Sequence, residues 1–186
     1  MQHSQSESLN LWVTVYCSLF TALIIIGAYI SIPLPIGPVP IVLADFFVML
    51  TGLFLGWKYG LLTVTVYLGL GALGLPVFSG GGSGLVMLFG PTGGFLIGYL
   101  LLVVIIGLVT SAAKTSWFLN LIAVLLGNVA LYSVGIIWLK ITLEMNWATA
   151  VGVGLIPFLP GTVIKILVVL AISRRIEPKF KEKYMR

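Results

Sequence analysis

The feature that most constrains this chain is a succession of long apolar runs that carry no charge. Leu11 to Ile32, Gly93 to Val109 and Phe118 to Leu139 each lack Asp, Glu, Lys and Arg altogether. Runs of that length match the hydrocarbon thickness of a bilayer, where every backbone polar group must find its partner inside the chain, and the helix is the segment that does so alone. A water-soluble alternative fails on charge: 8% of the residues are charged, against about a quarter in soluble domains. With 60% hydrophobic residues, the composition is also opposite to that of a disordered chain. The sequence predicts an all-α membrane protein.

Six spans are expected in a single integral membrane domain covering residues 1–186. They run at about 11–32, 41–55, 60–75, 93–109, 118–141 and 148–173. The second contains Asp45, the third follows a corner at "GWKYG", and the last is interrupted by "PFLPG", with Pro157 and Pro160, and contains Lys165. The polar start, "MQHSQSESLN", has no basic segment ahead of an apolar one, so no cleaved signal peptide is expected. Orientation follows from the basic residues. Arg174, Arg175, Lys179, Lys181, Lys183 and Arg186 crowd the C-terminal tail, which the positive-inside rule makes cytoplasmic. With six spans the N-terminus and the corners carrying Lys58 and Lys114 fall on the same side; an odd count would put both corners outside. The net charge of +5 is thus a topology signal, and no nucleic-acid partner is expected. Trp57, Trp117, Trp138 and Trp147 lie near span ends and read as interfacial belt residues.

Two long uncharged connections, "SIPLPIGPVP" (31–40) and "PVFSGGGSGLVMLFGPTGG" (76–94), then share the outer face. Irregular backbone at a membrane is tolerated where protein or a cavity satisfies it, so the pair reads as a lid over a pocket. The glycine run is no phosphate cradle. A P-loop needs Lys directly after its glycines, whereas Leu85, Val86 and Met87 follow Gly84, and no basic residue occurs between Lys58 and Lys114. The chain has no nucleotide motif of its own.

Inside the spans, Lys165 lies nine residues before Arg174, about 13 Å from the inner boundary and close to mid-depth. A cation there is costly and marks a site; the helix start expected at Pro160 adds positive potential, so the local chemistry calls for an anion such as a carboxylate. Pairing with Asp45 or snorkelling is the structural alternative. Asp45 itself sits where an acid favours the helix dipole. Asn128 reaches a similar depth, Tyr132 lies four residues on over the same face, and Tyr67 reaches that level from the third span. Asn128 can equally glue helices together.

"YLGLGALGLPVFSGGGSGLVMLFGPTGG", followed by "PFLPGTVIK" and accompanied by "PLPIGPVP", resembles BioY, the biotin-binding S component of energy-coupling factor transporters, over nearly the whole chain. Two positions depart from the family's pattern: Thr162 stands where an Asp is expected, and Ala44 where a Gln is usual. The resemblance implies a membrane-embedded vitamin receptor in a prokaryotic plasma membrane. It would capture biotin from outside, without enzymatic activity, cofactor or metal. Lys165 would meet the valerate carboxylate, with Asn128, Tyr132, Ser79 and Tyr67 toward the ureido ring and ring face, and Phe78, Gly82, Ser83 and Thr162 completing the pocket. The implied partners are a transmembrane coupling subunit and two ATPase subunits. Ser18 and Ala22, in small-xxx-small spacing on the first span, would form the docking face, or would serve packing within the chain.

Other functions fit less well. Another small carboxylate-bearing vitamin is the nearest alternative ligand. A self-sufficient carrier calls for paired ionisable groups or broken helices in both halves, and one broken helix is visible. An intramembrane enzyme calls for a nucleophile–base pair or metal ligands, yet the single His is His3 and Cys17 is the lone Cys.

Overall fold

The computed structural model describes residues 2–35, 37–111 and 116–184, with side chains for 11–35, 37–111 and 116–175. The corner with Lys114 and the terminal Arg186 lie outside the described residues, as do the side chains of His3, Lys179, Lys181 and Lys183.

The chain is a helical bundle. Helix α1 (Gln2–Tyr29) leads into a two-residue strand β1 (Ser31–Ile32), which pairs antiparallel with β2 (Ile41–Val42). Then come α2 (Ala44–Ala72), a 3₁₀ turn at Ser79–Gly81, and α3 (Leu85–Phe89). The remaining helices are α4 (Gly93–Ser111), α5 (Trp117–Thr142), α6 (Trp147–Gly154) and α7 (Leu159–Tyr184). Helices α1, α4 and α5 are long and apolar enough to cross a bilayer, α2 is so only when its 29 residues are counted as one continuous helix, and α6 with α7, bent by 46° at their break, make a further span if taken as one.

Helix α2 is not straight. Gly56 has φ 70° and ψ −175°, a combination open almost only to glycine, and there the chain doubles back. A Cβ on Gly60 would lie 3.7 Å from the Thr51 carbonyl oxygen, whereas nine residues of continuous helix would hold the two about 13 Å apart. Residues 44–55 and 57–72 are therefore the arms of a hairpin. Both arms pack on α4: Gly52 against Val103 and Ile106, Gly60 against Val103. Gly107 of α4 abuts the turn itself, with no room for a Cβ against the Trp57 amide nitrogen. The corner expected at "GWKYG" is thus tighter than the sequence implies; Trp57 to Tyr59 already belong to the second arm.

Helix α1 packs along both arms, Phe20 lying 6.0 Å from Phe54 of the first. Thr21 Oγ1 donates to the Thr63 carbonyl at 3.3 Å, and the Tyr29 hydroxyl donates to the Pro76 carbonyl. The sequence predicts an irregular connection between β1 and β2. It is a small hairpin instead, with the ladder confined to Ser31–Ile32 and Ile41–Val42 because prolines 33, 35, 38 and 40 offer no N–H between them. This loop crosses the bundle end, where Gly37 meets Val153 of α6. The glycine-rich segment closes the same end. Phe78 is fully buried, seated on Gly71 and edge-on to Tyr67 at 5.5 Å. Further along, Trp138 departs from the belt reading: it is half-buried, packs into Gly93–Gly94 and donates its indole N–H to the Gly90 carbonyl at 2.9 Å. A side chain on either glycine would collide with α5 or the preceding turn, which explains the glycine pair there.

Candidate functional site

Proline punctuation builds one wall. Pro157 falls in the break between α6 and α7, Phe158 turns into the interior, and α7 starts at Leu159 with Pro160 in its first turn, where a missing N–H costs nothing. Two turns later Lys165 points inward. Opposite, Asp45 occupies the first turn of α2. Lys165 Nζ donates to Asp45 Oδ2 at 2.6 Å, Asp45 Oδ1 at 2.7 Å and the Val42 carbonyl at 3.0 Å. Those contacts use all three ammonium donors. The two side chains are 11% and 7% exposed, so the pair is charge-compensated and nearly dry. Lys165 is therefore not an unsatisfied cation awaiting an anion, and Asp45 does more than complement a helix dipole. Each is the other's counter-ion, and through Val42 the pair also holds the β1–β2 loop to the bundle.

Beside the pair lies a cavity of about 40 Å³, roofed by Val39, Pro40 and Val42 of the loop and walled by Leu131 and Tyr99. Three aromatic rings close it: Phe95 and Phe158 stack at 6.2 Å, and Tyr132 stands 6.3 Å from each. That volume accommodates a water or two, while pockets for small organic ligands run to roughly 300–1,000 Å³. A vitamin-sized molecule fits only if the loop roof and the aromatic walls move apart.

Of the residues singled out in the sequence, Lys165, Asp45 and Tyr132 line this cavity. Thr162 is buried just behind it, its hydroxyl 2.5 Å from the Tyr132 hydroxyl. The others sit elsewhere. Asn128 is buried, donating Nδ2 to the Val124 carbonyl at 2.8 Å and to Met49 Sδ at 3.2 Å, while its Oδ1 has no hydrogen-bond partner among the described residues. Tyr67 and Phe78 pack on each other under the glycine-rich loop. Ser79, Gly82 and Ser83 are half-buried within that loop, where the Phe78 N–H donates to the Gly82 carbonyl at 3.0 Å. Ser18 and Ala22 are exposed on the outer face of α1, so their spacing does not serve packing within the chain.

Phe95, Tyr99 and Phe158 were missed by the sequence reading. Phe95 and Tyr99 are four apart, directly after the Gly93–Gly94 pair that lets α4 approach α5, a spacing that puts both on one face. Phe158 sits inside the proline-bounded break. Val39 and Val42 carried no signal, because their role depends on where the loop folds.

A bundle of apolar helices that buries a compensated cation beneath a loop roof and against an aromatic cage defines a polytopic membrane protein with a polar site among its spans. The BioY family model matches residues 1–182, and the chain belongs to the BioY family. It is 41% identical over 164 residues to the biotin transporter BioY of Thermotoga maritima, covering 88% of this chain and 94% of that one. It is 37% identical to the biotin transporter BioY of Lactococcus lactis subsp. cremoris, covering 87% and 88%. Among solved structures, the crystal structure of the S-component for biotin from an ECF-type ABC transporter superposes with a TM-score of 0.85 at 35% identity, covering 95% of this chain and 97% of that one.

Proposed function

We propose that this chain is the biotin-binding membrane subunit of a vitamin uptake transporter. It is a family of transporter subunits, not of enzymes. The observation that carries the reading is the full-length likeness to a biotin S-component, joined to a site of matching chemistry: an apolar, aromatic cage for a fused ring system and one buried charged pair for its polar groups. Biotin would enter from the side of the β1–β2 loop, whose Val39, Pro40 and Val42 cover the cavity.

Lys165 is the polar anchor, and its bond to biotin's carboxylate is the simplest engagement. That mode requires Asp45 to release the ammonium. The observed geometry favours a second mode. An added anion would leave net negative charge in a dry site, whereas the neutral ureido group can donate N–H to Asp45 and accept the Lys165 donor now given to the Val42 carbonyl, leaving the ion pair itself intact. Tyr132 and Thr162 supply hydroxyls beside it, and Phe95 and Phe158 the ring contacts. Asn128, Tyr67, Phe78, Ser79, Gly82 and Ser83 act one layer away, shaping the loop and helices that must open.

Counting the α2 hairpin as two crossings and α6–α7 as one gives six spans in one membrane domain, with both termini cytoplasmic under the positive-inside rule. The membrane is the prokaryotic plasma membrane, as the organisms of the relatives indicate. Uptake against a gradient requires a transmembrane coupling subunit and two ATPase subunits, because this chain carries no nucleotide motif. The exposed Ser18–Ala22 stripe of α1 is the face offered to the coupling subunit.

A ligand survey on the purified protein tests the proposal. Tryptophan fluorescence should respond saturably to biotin and not to thiamine or riboflavin; a response to either of those, or to none of the three, rejects it.

A further inference from the structure

At the end of the bundle remote from the loop roof, where Asn120 of α5 donates to Ser173 of α7 at 3.5 Å, the surface between the two helices carries a groove of about 480 Å³. One face of α7 lines it, with Leu167, Leu170, Ala171, Arg174 and Arg175 recurring at steps of three and four; Trp117, the first residue of α5, stands opposite. Leu170 forms a buried floor, while Leu167 and Trp117 are 62% and 52% exposed. The chemistry changes along the groove. From Leu167 to Arg174 the helix rises about 10 Å, from wholly apolar walls to two adjacent guanidinium groups. Among the described residues neither arginine has an ion-pair partner, and no carboxylate lines the groove.

We infer that this groove binds one anionic phospholipid, with its phosphate held by Arg174 and Arg175 and an acyl chain laid along Leu167, Leu170 and Ala171. Guanidinium forks match phosphate oxygens bidentately, and basic pockets between spans at the cytoplasmic side hold anionic head groups. Trp117 is at the depth where an indole favours the head-group boundary. A groove charged at one end only, with an apolar length behind it, fits an amphiphile better than a free anion. Nothing in this assignment depends on the vitamin site.

The full chain is purified in detergent and offered phosphatidylglycerol and phosphatidylcholine of identical acyl chains at equal concentration, and the retained lipid is counted by native mass spectrometry. Wild type should keep phosphatidylglycerol with a preference of about tenfold or more, the scale set by two cationic side chains at a membrane surface. R174Q/R175Q should retain the two lipids equally, and Ala171→Trp, which fills the acyl groove, should lower retention of both. Unchanged circular dichroism and monodisperse elution exclude misfolding as the cause. Equal retention by wild type, or a preference that survives in R174Q/R175Q, overturns the inference. Displacement by glycerol 3-phosphate at matched concentration overturns it in favour of a free-anion site. Loss of coupling-subunit association in R174Q/R175Q, with lipid preference unaltered, overturns it in favour of a protein interface.

Discussion

At the scale of single residues, the Asp45–Lys165 pair is a buried ion pair that ties α2 to α7 and, in the function proposed, the polar anchor for biotin. Removing one partner of a buried pair leaves an uncompensated charge, which costs about 3–5 kcal/mol, whereas removing both is close to neutral. Asp45→Asn and Lys165→Met should each lower the thermal midpoint in detergent markedly, and the double variant should recover most of the loss. Equal, additive losses would contradict the pairing. The ligand modes separate on biotin and its carboxamide. If the carboxylate meets Lys165, the amide should bind wild type more weakly by roughly 10- to 150-fold, the range for a charged hydrogen bond. If the ureido ring spans the pair, acid and amide should bind wild type alike. The depth of Lys165 was legible from its nine-residue distance to Arg174; its partner was left open, because 120 residues of chain separate them and no local rule couples α2 to α7. Asn128 shows the opposite limit. Its four-residue spacing to Tyr132 does place both on one face, but its side chain turns to Val124 and Met49, a choice made by packing.

At the scale of elements, the apolar runs coincide with α4 and α5 to within two residues, whereas α1 starts nine residues before its run and α7 ends eleven past it, because hydropathy marks the apolar stretch and not the ends of the helix that carries it. The turns were read less well, because they depend on backbone conformation and on neighbours. Gly56 marks the clearest case. Its φ and ψ exclude a Cβ-bearing residue at a cost on the order of 1–3 kcal/mol, although nothing crowds the position. Gly56→Ala should therefore lower the thermal midpoint by strain alone; an unchanged midpoint would contradict a hairpin at this residue. Gly81 is comparable, with φ +78° and only Tyr29 nearby at 3.9 Å. Gly81→Val should weaken capture through backbone strain in the loop rather than through a clash. If the two loops form the roof, biotin should protect cysteines introduced at Ser79 and Pro38 from an impermeant thiol reagent; equal labelling with and without biotin would mean that the loops do not move over the ligand.

At the scale of the whole molecule, a 40 Å³ cavity is smaller than a bicyclic vitamin, so the proposed binding mode requires the loop roof and the aromatic walls to move apart. The likeness to a solved S-component extends over nearly the whole chain, and the function proposed assigns the energy source to partner subunits. Reconstituted alone in liposomes, the protein should bind biotin without accumulating it, and accumulation should require the coupling subunit, the ATPase subunits and ATP. Accumulation by the chain alone would contradict this division of labour. The central claim, that biotin binds at the Asp45–Lys165 pair, is tested most directly by titrating biotin into wild type and into the Asp45→Asn/Lys165→Met double variant. The double variant keeps the site's volume and removes both charges together. Retained thermal stability with biotin affinity reduced at least about tenfold is the predicted result, and wild-type affinity in a stable double variant would contradict it.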